Sequence, residues 1–357
     1  MKLILPLFFG LALSSANVSA TEAPVDFSQA YQAYQAAVAS NNKEQMLISA
    51  AQSYRLGLAK YGPTSINSAN LALNWTNAML RYDERAEPLL KEYFPVFSSE
   101  YGEQGLELID VYFAQARHST KPRQYYQQAL DISLANHGKA ALKHGEILLQ
   151  LLSQFWVNDQ QQLNFANKLL KQVDEIVAAN QLSNSKMALQ AEFYRGKYAR
   201  MAKKNSQAIA SFEQVIAMTA SLETSHPLAL VSHAALVELF EAKGDSERAT
   251  SHCQAIGLMQ PWSDNLEQTP LYRVNPRYPK SAARMGKSGS AELSFDVDTN
   301  GFVTNIKVLN YKGHKGFVNS SKEAIAKWRY APKFVNGQAV VASSRVRLDY
   351  SLNKPSH

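Results

Sequence analysis

Cysteine is almost absent from this chain. Cys253 is the only one in 357 residues, so no intramolecular disulfide can form and no metal site can rest on paired thiolates. Its neighbour His252 makes a poor chelating partner, because adjacent helical side chains point about 100° apart. The remaining histidines (His118, His137, His144, His226, His233, His314 and His357) are scattered. No HExxH, GxSxG, P-loop or strand-borne GxGxxG occurs, which leaves hydrolysis, phosphoryl transfer and dinucleotide chemistry without a motif. The expectation is a non-enzyme with no cofactor and no metal; an exported hydrolase is the distant alternative. The 13 prolines form no Pro-rich run, so a stiff polyproline spacer is excluded. The apolar run Leu3–Leu13 has eleven residues and includes Pro6, short of the roughly 20 that cross a membrane.

That run has another reading. Met1-Lys2 precedes it and the small residues Ser14 to Ala20 follow, with Val18-Ser19-Ala20 as a cleavage site. Residues 1–20 are therefore expected to be a secretory signal, giving a soluble periplasmic protein with no membrane span after cleavage. The alternative is an uncleaved segment that anchors the chain in the inner membrane. The net charge of +7 is uneven: residues 264–357 hold 15 Lys/Arg against 7 Asp/Glu, a net of +8, and the first 263 sum to −1. Export argues against nucleic acid, so the basic end suits acidic peptides, an anionic membrane surface or envelope polymer.

Residues 26–262 are rich in Ala, Leu, Gln and Lys, in segments of helical length. Breaks fall at Tyr61-Gly62-Pro63, Glu100-Tyr101-Gly102, Asn136-His137-Gly138, Asn180 to Ser185 and Ser225-His226-Pro227. Each interval is long enough for two antiparallel helices, which is how a helical solenoid reads in sequence. Two stretches resemble tetratricopeptide (TPR) motifs. In Ala235–Pro261, Gly244 falls in the turn, Ala249 early in the second helix and Pro261 at its close. In Ala191–Ala217, Gly196 and Ala208 take the small positions and Phe212 the large one. Six helix pairs are expected, with an irregular bundle as the alternative. The aromatic clusters Tyr31/Tyr34, Tyr93/Phe94/Phe97 and Tyr125/Tyr126 are read first as inter-repeat core and second as peptide contacts.

After Tyr278-Pro279 the pattern changes to strict alternation. Ala291, Leu293, Phe295 and Val297 share one side, with Glu292, Ser294, Asp296 and Asp298 between them, as in a strand with one wet face. Asp298-Thr299-Asn300-Gly301 supplies a turn, with Gly301 where positive φ is needed. Phe302–Leu309 returns as a second strand. A helix over Phe317–Trp328 is predicted next, capped by Asn319-Ser320-Ser321 and ended by Pro332. Ser344–Leu352 is the last strand.

This order resembles the C-terminal domain of the TonB family. The resemblance is carried by Tyr278-Pro279, Ala282-Ala283, Gly289, Phe295-Asp296-Val297-Asp298, Gly301 and Val303. It continues through Val308-Leu309, Phe317, Ala324 and the run Lys327-Trp328-Arg329-Tyr330-Ala331-Pro332. The fold expected is mainly α with a small α+β domain: an α-solenoid of TPR-like helix pairs at 26–262, then a TonB-like domain at 270–354 with an antiparallel sheet of about three strands and two helices.

The resemblance implies capture of a short peptide as an added strand on the sheet edge. Ser344, Arg345, Val346, Arg347, Leu348, Asp349, Tyr350 and Ser351 form the expected edge, with Tyr278 and Pro279 nearby. Arg345 and Arg347 there either face the ligand or guard the edge against aggregation. Phe295, Gly301, Phe317, Trp328, Tyr330 and Pro332 are expected to be structural. Expected partners are proteins or peptides, including outer-membrane transporter N-terminal peptides and inner-membrane motor components. The departures are a cleavable signal in place of a membrane helix and a solenoid in place of a Pro-rich spacer. An accessory or adaptor of TonB-dependent transport is therefore expected, against an envelope-assembly scaffold with no role in uptake.

Overall fold

The computed structural model describes residues 26–222, 225–260 and 268–352. The expected signal, residues 1–20, and Pro261 lie outside them. The chain divides into two compact units between Asn136 and His137.

Among the described residues the first unit holds α1 (Phe27–Ala39), α2 (Lys43–Tyr61), α3 (Ile66–Ala78), α4 (Ala86–Tyr101), α5 (Leu108–His118) and all but the last residue of α6 (Pro122–His137). Their starts are written locally. The Asp26 carboxylate accepts from Gln29 N at 2.8 Å while the Gln29 side chain accepts from Asp26 N, a capping box that satisfies two otherwise orphaned donors. Asn42 and Ser65 cap α2 and α3 with a single bond each, accepting from Gln45 N and Asn67 N. Consecutive helices from α1 to α5 pack in order, and α3 also meets α5. Gly57 makes one close approach possible: a Cβ there would lie 2.1 Å from Leu71 Cδ1.

The second unit opens with six more helices: α7 (Leu142–Gln154), α8 (Gln160–Ala179), α9 (Lys186–Met201), α10 (Asn205–Thr219), α11 (Pro227–Lys243) and α12 (Ser246–Met259). Neighbours pack in order, and α9 also meets α7 and α11. Gly196 sits against the Phe212 ring, where a Cβ would be 2.9 Å from Cε1; small residues let paired helices approach closely. Gly244 ends α11 at φ +77°, the left-handed cap that glycine adopts without penalty. One further feature repeats along the chain. Asn136 Nδ2 donates to the carbonyls of Ile132 and Gln104, and Asn180 Nδ2 donates to those of Ile176 and Ala140. In each unit an Asn at a helix end thus ties its own last turn to the loop before the preceding helix.

After α12 come α13 (Lys280–Arg284), β1 (Gly289–Val297), β2 (Val303–Lys312), α14 (Gly316–Ile325), β3 (Lys333–Val335), β4 (Gln338–Val340) and β5 (Ala342–Tyr350). The sheet has three antiparallel strands in the order β2-β1-β5. The alternation of β1 turns Ala291, Leu293, Phe295 and Val297 into one core with Phe317, Trp328, Tyr330, Val346, Leu348 and Tyr350.

Two expectations are corrected, and one hairpin is added. Helix α14 ends at Ile325, before Trp328, so Pro332 does not terminate it. Asn319, Ser320 and Ser321 lie inside α14 and do not cap it; its start is met instead by His314 Nδ1, which accepts from Gly316 N at 2.9 Å. A second hairpin, β3–β4, precedes the last strand. Its turn residues Asn336 and Gly337 both have positive φ, the pairing that two-residue hairpins favour.

The segment between α14 and β3 joins the sheet to α11 and α12. Arg329 is fully buried, with its guanidinium against the Glu241 carboxylate, 2.8 Å from Thr250 Oγ1 and 2.9 Å from the Asn300 carbonyl. It also lies 3.7 Å from the centroid of the Phe302 ring. A Cβ on Gly257 would fall 2.5 Å from the Pro332 carbonyl and 2.9 Å from the Phe334 ring, so glycine lets α12 approach this backbone. Leu271, Tyr272 and Ala331 pack into the helical core around Phe240, Cys253 and Ile256. Burial pushes the Cys253 thiol up to about 12; it is a packed thiol.

Candidate functional site

The outer strand β5 is placed by β1, which pairs with it without a break from Gly289↔Tyr350 to Val297↔Ala342. Among the described residues β1 is its one strand partner, so the other side of β5 is a sheet edge. Side chains on β5 alternate. Val346, Leu348 and Tyr350 are buried in the core, while Ser343, Arg345, Arg347 and Asp349 are exposed on the opposite face. Arg347 and Asp349 form an ion pair at 3.0 Å, both well exposed, a geometry that contributes little to stability. Arg345 lies opposite Ser294. At the start of the strand, Ser343 Oγ donates to Asp296 Oδ1 at 2.6 Å and Asn305 Nδ2 to Oδ2 at 2.9 Å. These two hydrogen bonds hold the Asp296 carboxyl below its usual range.

Tyr278 and Pro279 sit at the far end of β5. The Tyr278 ring meets Phe317 edge-on at 5.5 Å and Tyr350 at 5.8 Å, and its hydroxyl donates to the Lys287 carbonyl at 2.6 Å. Pro279 is the residue before α13, in an extended conformation, and its Cβ lies 3.0 Å from where a Cβ on Gly316 would be. Tyr350 is fixed from below: its ring stacks on Phe317 at 4.4 Å, and its hydroxyl meets Ser321 Oγ at 2.7 Å and the Phe317 carbonyl at 3.1 Å. The Tyr278-Pro279 motif is thus brought to the last residue of β5. Ser351 follows the strand, exposed.

The other marked residues are core or joint. Phe295, Phe317, Trp328 and Tyr330 are at most 2% exposed, and Trp328 Nε1 donates to the Val274 carbonyl at 2.8 Å. Gly301 has φ +83°, and a Cβ there would lie 2.1 Å from the Tyr330 carbonyl. Arg329 is the residue whose role sequence reasoning missed. Its one sequence signal is an arginine between Trp328 and Tyr330, both core residues.

Residues 274–352 match the family described as Gram-negative bacterial TonB protein C-terminal. These residues form a TonB C-terminal domain. Protein TonB of Xanthomonas campestris pv. campestris (strain B100) is 36% identical over 78 residues, 22% of this chain and 35% of that one. Protein TonB of Escherichia coli (strain K12) is 36% identical over 62 residues, 17% of this chain and 26% of that one. The chain therefore spans about a third or less of the curated relatives it matches. The solution NMR structure of the Pseudomonas aeruginosa TonB C-terminal domain aligns with 26% of this chain and 94% of that one, at 25% identity and a TM-score of 0.23. Two further features bear on what surrounds the TonB domain here. The match begins at residue 274, directly after the Leu271–Tyr272 segment that packs on α11 and α12. No helix among the described residues is long and apolar enough to cross a membrane.

Proposed function

We propose that this chain is a periplasmic accessory or adaptor of TonB-dependent transport. In this reading β5 takes up an extended peptide of an outer-membrane transporter as an added strand, and the helical pairs hold a second protein, such as a motor component. The observation that carries the reading is the continuous outer strand from Ala342 to Tyr350, inside the matched domain and paired on one side only among the described residues. Such an edge offers a row of backbone donors and acceptors, which supply affinity while side-chain pockets supply choice.

The test uses the full chain and short synthetic peptides from the N-termini of outer-membrane transporters of the same organism, titrated calorimetrically. In an antiparallel ladder the amide of one residue faces its partner strand and that of the next faces away. Of Arg345→Pro and Val346→Pro, one therefore removes a donor from the open edge and leaves the β1 ladder intact. That variant is expected to lose at least ten-fold in affinity with its circular dichroism unchanged. Absence of binding by every peptide, or full binding by both variants, overturns the reading. A second reading, a scaffold for envelope assembly with no part in uptake, is favoured by the Arg329 joint, since a head that must reach across the periplasm has no need to be clamped to the helices beside it.

A further inference from the structure

The first unit holds a cavity of about 330 Å³ between α4, α5 and α6. Two aromatic rings line it, Phe94 and Tyr112, with centroids 5.4 Å apart and tilted by 48°. Tyr112 in turn stacks on Tyr125 at 6.5 Å. Leu108 and Ile132 add apolar wall, and two carboxylates from different elements complete it: Glu103 from the α4–α5 loop and Asp131 from α6. Asp131 accepts from Gln127 Nε2 at 2.8 Å, a neutral donor. Among the described residues neither carboxylate has a lysine or arginine partner, and Lys91 on α4 is taken by Glu87 at 2.8 Å. Burial together with the Glu103 charge raises the Tyr112 hydroxyl pKa. The surrounding sequence has the same sign. From Glu92 to Ala116 there are five carboxylates (Glu92, Glu100, Glu103, Glu107 and Asp110) and no lysine or arginine.

A cavity with aromatic walls and two charges left without a counter-ion is chemically complementary to one kind of group. An aromatic face attracts a cation through its quadrupole, by about 0.5–2 kcal/mol according to desolvation. A carboxylate at the rim adds a charge-assisted hydrogen bond. The volume lies within the usual range for ligand sites, roughly 300–1,000 Å³, room for a long side chain and part of the backbone that carries it. We infer that this cavity is a docking site for a basic side chain, arginine or lysine, presented by a peptide segment of a partner protein. The inference deepens the reading of the helical pairs as a binding surface and is independent of the β5 edge. It also assigns the aromatic clusters: Tyr93, Phe97 and Tyr126 are core, at most 2% exposed, whereas Phe94 faces the cavity.

Saturation-transfer difference NMR on the full chain tests this with N-acetyl-arginine amide and N-acetyl-lysine amide as probes and N-acetyl-norleucine amide as the neutral control. Transfer is expected to the side-chain methylenes of both cationic probes and at least five-fold less to norleucine amide. Glu103→Gln/Asp131→Asn, which keeps shape and removes charge, is expected to cut the arginine signal at least five-fold at an unchanged melting temperature; Phe94→Leu lowers it with both carboxylates kept. The Val346→Pro chain is expected to retain the signal in full, so failure here and failure of the edge-strand reading are separate results. Equal transfer to norleucine amide, or an undiminished arginine signal in the Gln/Asn variant, overturns the inference.

Discussion

Arg329→Met tests the joint between the TonB domain and the last helix pair. The guanidinium is 1% exposed and its partner Glu241 is largely buried. Removing the cation leaves a carboxylate in a site of low polarity, where Ser246 Oγ still donates to it at 3.0 Å. Breaking a buried pair from one side costs about 3–5 kcal/mol, whereas replacing both members by apolar groups of similar volume is near neutral. The lost hydrogen bonds to Thr250 and the Asn300 carbonyl contribute about 1 kcal/mol each. Local stability is therefore expected to fall by about 4 kcal/mol in Arg329→Met, and by less than about 1.5 kcal/mol in Arg329→Met/Glu241→Met. Hydrogen exchange of the full chain, read on peptides spanning 238–259 and 326–335, reports this directly. At about 1.4 kcal/mol per factor of ten, the single variant should exchange roughly a thousand-fold faster on both sides of the joint, and the double variant should recover most of that. Arg329→Lys should behave more like the Met single variant than like the parent, because an ammonium cannot reproduce the planar fork. Exchange within three-fold of the parent in Arg329→Met would refute the reasoning. So would a double variant whose loss equals the sum of the two singles.

Other consequences can be measured alongside. Gly301→Ala should destabilise the second unit by roughly 3 kcal/mol, since it adds positive-φ strain to a collision with the Tyr330 carbonyl; Gly337→Ala, at φ +77° with open space around it, should cost only about 1 kcal/mol. His233 and His252 share an Nδ1–Nδ1 hydrogen bond of 2.8 Å, and burial first, then neighbouring positive charge, holds both at about 4. The folded state therefore keeps them neutral while the unfolded chain takes up protons below about 6.5. Their stabilisation is fully present above that value and is lost as pH falls toward 4. Urea unfolding between pH 7.5 and 4.5 should show this decline, and His233→Gln/His252→Gln should flatten it; an equally steep decline in the double variant would exclude the pair as its source. Tyr350→Phe removes the hydroxyl shared with Ser321 and the Phe317 carbonyl and should cost about 1–2 kcal/mol, with the melting temperature as readout.

What was legible in the sequence was local. The β1 alternation, the Asp298–Gly301 turn and the helix breaks at Gly62, Gly102 and Gly244 each depend on residues a few positions apart, and each stands where its spacing puts it. The β3–β4 hairpin was equally legible, through Asn336-Gly337 between short apolar runs. Its signal is masked because Lys333–Val340 lies between two stronger ones. Helix α14 is shorter than the pattern implies because Trp328 and Tyr330 continue the apolar series; past Ile325 they are buried by an extended segment that bridges Tyr272 and Phe302. The strand order of the sheet follows from neither pattern, since β5 reaches β1 across β2, α14 and the small hairpin.

Arg329 shows where local reading ends. Its neighbours in sequence, Trp328 and Tyr330, enter the sheet core by the ordinary rule that large apolar residues are inside. By the same rule an arginine between them should be solvated, because a buried cation without a partner is too costly to keep. The partner is Glu241, 88 positions away on α11, and Phe302, just before β2, and Thr250 on α12 close the cage. No periodicity links these positions. Their meeting changes what the C-terminal module is physically. The segment that carries Arg329 also carries Tyr330, whose amide donates to the Gly301 carbonyl in the β1–β2 turn at 2.9 Å. Strand β1, which holds β5 in register along its whole length, therefore runs into a turn fastened to the same segment that α11 and α12 hold. In the proposed reading, a peptide pulling on β5 would load α11 and α12 through that turn and the Arg329 segment.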